Sequence, residues 1–116
     1  MSKSNEAFWW SLFSAGGVLA ALFIPGIILV SGFLLPTADP VQAAERYANI
    51  HGIISWWPVR AVLFLVIFLS FFHCAHRVRH TLMDVGLRRV EGPLMAVCYI
   101  SAFVGSVTAA IVLFGM

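Results

Sequence analysis

Charge is scarce in this chain: Asp, Glu, Lys and Arg together supply 10% of its 116 residues, while hydrophobic residues supply 61%. A soluble domain carries about a quarter charged residues, so the composition excludes one and specifies an integral membrane protein. Acidic residues are absent from the long apolar stretches, since Glu6, Asp39, Glu45, Asp84 and Glu91 all lie outside them. That removes the intramembrane carboxylate on which proton-coupled transport usually depends. Cysteine is limited to Cys74 and Cys98, both inside apolar stretches and at a spacing that suits neither a disulfide framework nor a zinc site. Both are read as small packing residues. No nucleic-acid partner is expected; the surroundings are membrane lipid.

What the chain does have is long hydrophobic runs. A membrane-spanning helix needs about 20 apolar residues, and three stretches qualify, at about 8–35, 58–79 and 93–116. The expected fold is an all-α membrane protein with three transmembrane helices and a short interfacial helix, forming one three-helix unit over residues 1–116. Lys3 precedes an apolar run, as in a signal peptide. The run nevertheless outlasts the roughly 7–15 residues of a signal core, and Glu6 leads into it, so an uncleaved anchor is expected. Three short helices enclose little space, which points to burial against partner subunits.

The polar lead Met1–Ala7 passes into Phe8-Trp9-Trp10, aromatics of the kind that collect at a membrane interface. Gly16/Ala20 and Gly17/Ala21 follow at the spacing that lets another helix approach closely. Pro25-Gly26 predicts a kink, and Pro36 predicts an end at Leu35. Asp39-Pro40-Val41-Gln42 reads as a helix start, with Asp39 as N-cap and Pro40 in the first position, opening a short surface helix that Gly52 closes. His51, at its end, has no ligand set nearby and is read as an interfacial side chain. The second span begins at Pro58 and can continue to Val85, before Gly86. The third carries the rows Ser101, Gly105, Ala109 and Ala102, Ser106, Ala110, but no charged residue, which suggests a packing role.

The one dense polar cluster on a span is His73-Cys74-Ala75-His76-Arg77-Val78-Arg79-His80. At about 100° per residue, His73, His76, Arg77 and His80 share roughly a third of the helix circumference, with Arg79 turned away and Asp84 positioned to pair with His80. Arg77, Arg79, Arg88 and Arg89 flank the second connection while Arg46 and Arg60 flank the first. The positive-inside rule then puts residues 80–92 and the N-terminus in the cytoplasm and Met116 on the other side. Trp10, Phe13 and Ser14 consequently share an interface with His76, Arg77 and His80. Aromatic walls, hydrogen-bond donors and a route to water are what a quinone ring requires. Trp10 offers an indole N–H, Phe13 a wall and Arg77 a fixed positive charge, while His76 or His80 can relay protons. The competing reading of the same residues is an ordinary interfacial anchor.

The segment from Phe8 to Gly17, the Glu45-Arg46 pair, Arg60, and Cys74-Ala75-His76-Arg77 followed by His80 and Asp84 resemble the D subunit of bacterial quinol:fumarate reductase. The resemblance covers nearly the whole chain. It implies an anchor subunit that works with a second, C-type anchor. Together they attach a flavoprotein subunit and an iron-sulfur subunit to the cytoplasmic face of the inner membrane, leaving the short helix and the C-terminus periplasmic. It implies menaquinone as the shared cofactor, with menaquinol oxidised in anaerobic respiration, flavin and iron-sulfur clusters held only by the partners, and no haem. Trp10, Phe13, Ser14 and Arg77 then line the quinone site. Ser14 stands where that pattern expects glycine, and Arg79 where it expects histidine. Two alternatives make different demands. A haem b-bearing anchor of the succinate dehydrogenase type needs a buried axial histidine, for which His73 is the one candidate. A structural small membrane protein needs no site.

Overall fold

The computed structural model describes residues 3–116, with side chains from residue 5 onward. Part of the expected polar lead, Met1 and Ser2, lies outside them. Four helices dominate, α1 (Lys3–Leu29), α2 (Pro40–Ser55), α3 (Trp57–Val85) and α4 (Glu91–Phe114), and the described residues contain no strand. Three segments, Asn5–Leu34, Trp57–Val85 and Leu87–Phe114, are long and apolar enough to cross a membrane. A helix satisfies its own backbone polar groups, which hydrocarbon cannot do. The chain is a multi-pass all-α membrane protein.

Local chemistry explains most boundaries. Helix α1 passes through Pro25 and continues into a π-helical turn, Val30–Leu34, closed by the Leu35 N–H donating to the Val30 carbonyl at 2.9 Å. Pro25, the expected site of a kink, lies inside the continuous helix, and the irregular turn comes further along, just before Pro36. Helix α2 starts as its capping residues require, with Asp39 Oδ1 accepting from the Val41 N–H at 2.9 Å and Pro40 in the first position. Gly52 does not end it. The helix runs on to Ser55, because a glycine in a helix interior costs only about 1 kcal/mol and Trp56 is the first residue to turn extended, at ψ 124°. Helix α3 stops at Gly86, whose φ of +126° lies where a side chain is strained.

Helix α3 is the centre of the bundle. It packs against α1 on one side and α4 on the other, and α1 and α4 do not pack against each other. Glycines allow both close approaches. A Cβ on Gly16 would lie 2.6 Å from the Leu69 carbonyl oxygen, and one on Gly17 would lie 2.7 Å from Cε1 of His73. On α4, Gly105 receives the Phe71 ring, while Ala102 and Ser106 are buried beside it. From the predicted small-residue rows, Gly16 and Gly17 meet α3 and Ala102, Gly105 and Ser106 form the seam with it on α4, while Ala21 and Ser101 are exposed.

Arginines close the end of the bundle away from the histidine cluster of α3. Arg46, on α2, donates from one nitrogen to the carbonyls of Leu34, Leu35 and Pro36 at 3.0, 3.1 and 3.4 Å. These belong to the end of the first span, where carbonyls lack helical partners. Arg60 likewise donates to Ile54 and Met116 carbonyls, tying the ends of α2 and α4 to α3.

Little of the chain is enclosed. Folded soluble proteins of 12.7 kDa expose about 6,200 Å² by size scaling, whereas this bundle exposes 8340 Å². The large apolar side chains that remain outside, such as Leu22, Phe33, Phe103 and Ile111, suit lipid or other membrane subunits.

Candidate functional site

The polar cluster of α3 is divided by helical geometry among three environments. His73 and His76 turn toward α1. Arg79 turns toward α4, where it meets the Glu91 carboxylate at 2.8 Å. Arg77 and His80 are exposed. Asp84 lies 3.9 Å from Arg88, one turn on, with both side chains in the open. Its carboxylate faces that arginine rather than pairing with His80 as the spacing had suggested.

Gly16 and Gly17 determine how the two helices meet here. With no side chain at either position, the His73 ring lies directly over Gly17 and donates from Nδ1 to the Phe13 carbonyl at 3.0 Å. A carbonyl only accepts, so this contact requires a proton on Nδ1. The same imidazole stacks on the Phe13 ring, with centroids 4.4 Å apart and planes 21° from parallel. His76 also stands against Phe13, at 4.6 Å between centroids, and Trp10 approaches both the Phe13 and His76 rings edge-on. His76 continues the contacts along α3 to His80, 4.3 Å away between centroids. Its Nδ1 lies 3.1 Å from the hydroxyl of Tyr99 on α4, a hydrogen bond in which either group can donate.

These residues surround a cavity of about 720 Å³, walled by Trp9, Trp10, Phe13, Phe68, Leu69, Phe72, His73, His76 and Tyr99, with Leu12 and Glu6 at its margin. Small-molecule sites span about 300–1,000 Å³ and combine apolar walls with a few polar groups. The aromatic walls and the Trp10, His76 and Tyr99 hydrogen-bonding groups suit a flat ring bearing polar substituents. A smaller groove of about 330 Å³ opens along the α3–α4 seam, and Cys74 and Cys98, both free thiols, contribute to it. No cluster of three or more His, Cys, Asp and Glu side chains suited to a metal ion occurs among the described residues.

Of the site residues expected from sequence, Trp10, Phe13 and His76 border the cavity; Ser14, Arg77 and His80 do not. Ser14 and Arg77 are exposed, each one residue beyond a cavity residue. In antiparallel helices the same step of about 100° turns both side chains to one flank of the seam. Ser14 and Arg77 thus lie outside the cavity wall, on the surface of the chain. Tyr99, Phe72 and a wall role for His73 were not anticipated. Tyr99 precedes Ala102 by three positions, so it lies near the face that the small-residue row of α4 already marked.

Comparison with known proteins agrees with this architecture. The sequence profile of the fumarate reductase D subunit matches residues 1–114. The chain belongs to the family of fumarate reductase D subunits. Relatives named as that subunit include one from Photobacterium profundum, 31% identical over 97% of this chain and 92% of the relative. Another, from Mycobacterium bovis, is 35% identical over 92% of this chain and 85% of the relative. A third, from Aliivibrio salmonicida, is 30% identical over 97% of this chain and 92% of the relative. No solved structure matches the chain. As a member of this family, the chain is a membrane anchor subunit of fumarate reductase and works with other subunits.

Proposed function

We propose that this fumarate reductase anchor holds a flavoprotein and an iron-sulfur subunit at the membrane, beside a second C-type anchor, and helps form a menaquinol-oxidation site for fumarate reduction in anaerobic respiration. The observation that carries the proposal is the aromatic cavity of about 720 Å³ bordered by Trp10, Phe13, His76 and Tyr99. Arginine distribution supports its assignment to the cytoplasmic interface of the inner membrane, with the N-terminus cytoplasmic and α2 and Met116 periplasmic. An iron-sulfur subunit bound to that face is the natural electron acceptor.

A menaquinol supplies two electrons and two protons when oxidised. The chain's residues would bind and orient its ring: Trp10 by its indole N–H, Phe13 by its apolar edge, and the remaining walls by excluding water. Ser14 and Arg77 extend the site along the open flank, where the second anchor and the iron-sulfur subunit complete it. There the Arg77 guanidinium favours negative charge on a ring oxygen. His76 and His80, in ring contact, carry protons toward the aqueous boundary.

Arg77→Leu in the assembled, membrane-bound complex tests this reading. A charge-assisted hydrogen bond is worth about 1.5–3 kcal/mol, so quinol-driven fumarate reduction should fall about 10- to 100-fold. Fumarate reduction driven by a soluble dye, which reaches the flavoprotein and iron-sulfur subunits directly, should remain near normal. Unchanged quinol turnover would remove Arg77 from the site. Release of the soluble subunits from the membrane would instead make it an anchoring residue.

A further inference from the structure

We propose that Tyr99 is the positioning residue for His76, holding its ring by Nδ1 so that Nε2 is the nitrogen that accepts a proton from a quinol hydroxyl. The inference rests on the menaquinol reading above and deepens it.

The geometry begins with an isolated contact. Tyr99 is the α4 residue that reaches the cavity, and α4 has no packing contact with α1. Its hydroxyl meets Nδ1 of His76 at 3.1 Å, about one helical turn from the buried Ala102 that begins the α4 packing row. The ring of Tyr99 also lies beside Phe72, with centroids 6.4 Å apart, which fixes the hydroxyl's direction. His76 is held on its other sides by Phe13, Trp10 and His80, so the imidazole has little freedom to turn over.

A neutral imidazole carries its proton on one nitrogen and accepts at the other. When the Tyr99 oxygen accepts from Nδ1–H, Nε2 keeps its lone pair. His73 shows the same arrangement one turn away, with Nδ1–H given to the Phe13 carbonyl. A ring held this way takes up at Nε2 the proton that a quinol hydroxyl releases as its O–H bond breaks. The imidazolium so formed returns to neutral by passing that proton toward His80 and water. One proton of the quinol leaves by this nitrogen and the other from the opposite oxygen to water, while the two electrons go one at a time to the iron-sulfur clusters of the partner subunit. Without the Tyr99 hydroxyl the ring loses the contact that fixes Nδ1, and Nε2 is no longer held in one direction for the proton transfer.

The test uses the assembled complex in membranes, a water-soluble naphthoquinol as electron donor, and the variants Tyr99→Phe, His76→Gln and their combination. Turnover is expressed per membrane-bound flavin. Removing a general base costs about 100-fold or more, so His76→Gln sets the scale of the loss. Tyr99→Phe keeps the ring and removes only the hydroxyl. It should lower kcat roughly tenfold with the quinol KM within about twofold, the pattern of an interaction used in the reaction rather than in binding. The double variant should be no slower than His76→Gln, since the tyrosine acts through that ring. Full turnover in Tyr99→Phe beside a slow His76→Gln would overturn the tyrosine's role and leave the quinol site standing. Full turnover in both variants would defeat the quinol site and the tyrosine's role together. Loss of membrane-bound flavin in Tyr99→Phe, or a raised KM at unchanged kcat, would also overturn the proposal, making the hydroxyl an assembly or simple binding contact.

Discussion

Replacing Gly16 by alanine should separate α1 from α3 and disturb the His73 anchor at once. The new Cβ would stand 2.6 Å from the Leu69 carbonyl oxygen and 3.1 Å from His73 Cβ, where ordinary contact begins at 3.4 Å. The nearer clash is with backbone in the middle of a helix, which cannot rotate aside, so the helices must part by an appreciable fraction of the overlap. A gap of about 0.5–1 Å forfeits a quarter to a half of each dispersion contact it opens, and overpacked sites typically lose about 1–3 kcal/mol. The same shift stretches the 3.0 Å bond from His73 to the Phe13 carbonyl toward the limit of a hydrogen bond. Stability of the purified complex against dodecyl sulfate, followed by tryptophan fluorescence, measures the first effect. Hydrogen exchange in the first half of α1 measures the second. Gly52→Ala is the matched control, because nothing lies within 4 Å of its would-be Cβ; it should leave stability unchanged or raise it by up to about 1 kcal/mol. A Gly16→Ala complex as resistant as the parent would refute the close α1–α3 seam and the placement of His73 over Gly17.

Arg46→Leu should loosen the junction between the first span and α2, at a cost of about 1–3 kcal/mol for carbonyls losing a charged donor, read as faster hydrogen exchange at Leu35 to Gln42. Gly86→Ala forces a side chain into φ +126° and should destabilise the α3–α4 connection by about 1 kcal/mol or more, measured by the same dodecyl sulfate titration. Cysteines introduced singly as Ser2→Cys and Arg88→Cys should react with an impermeant maleimide from the cytoplasmic side, and Ala43→Cys from the periplasmic side. Labelling of positions 43 and 88 from one side would contradict the α3 crossing. The purified complex should show no haem b absorption arising from this subunit; a haem signal lost in His73→Ala would assign His73 as an axial ligand instead.

The sequence by itself determined the class and the course of the chain. Hydrophobic runs longer than a bilayer is thick have few alternatives to crossing it, and Pro36, Asp39, Pro40 and Gly86 act on the backbone through local geometry alone. The small-residue rows marked helix contacts for the same reason, since only small side chains permit close backbones. What the tertiary structure decided was which neighbour each polar residue of α3 would meet. Helical spacing grouped His73, His76, Arg77 and His80 on one stripe, yet the position of α1 across Gly16 and Gly17 divides them, covering the first two and leaving the others exposed. Arg79 found Glu91 because the tight turn after Gly86 brings the start of α4 back beside α3; Asp84 faces Arg88, four residues on across that turn, rather than His80. The contact of Tyr99 with His76 depends on residues 23 positions apart on separate helices. No periodicity within either helix encodes it; only the crossing of α3 and α4 does.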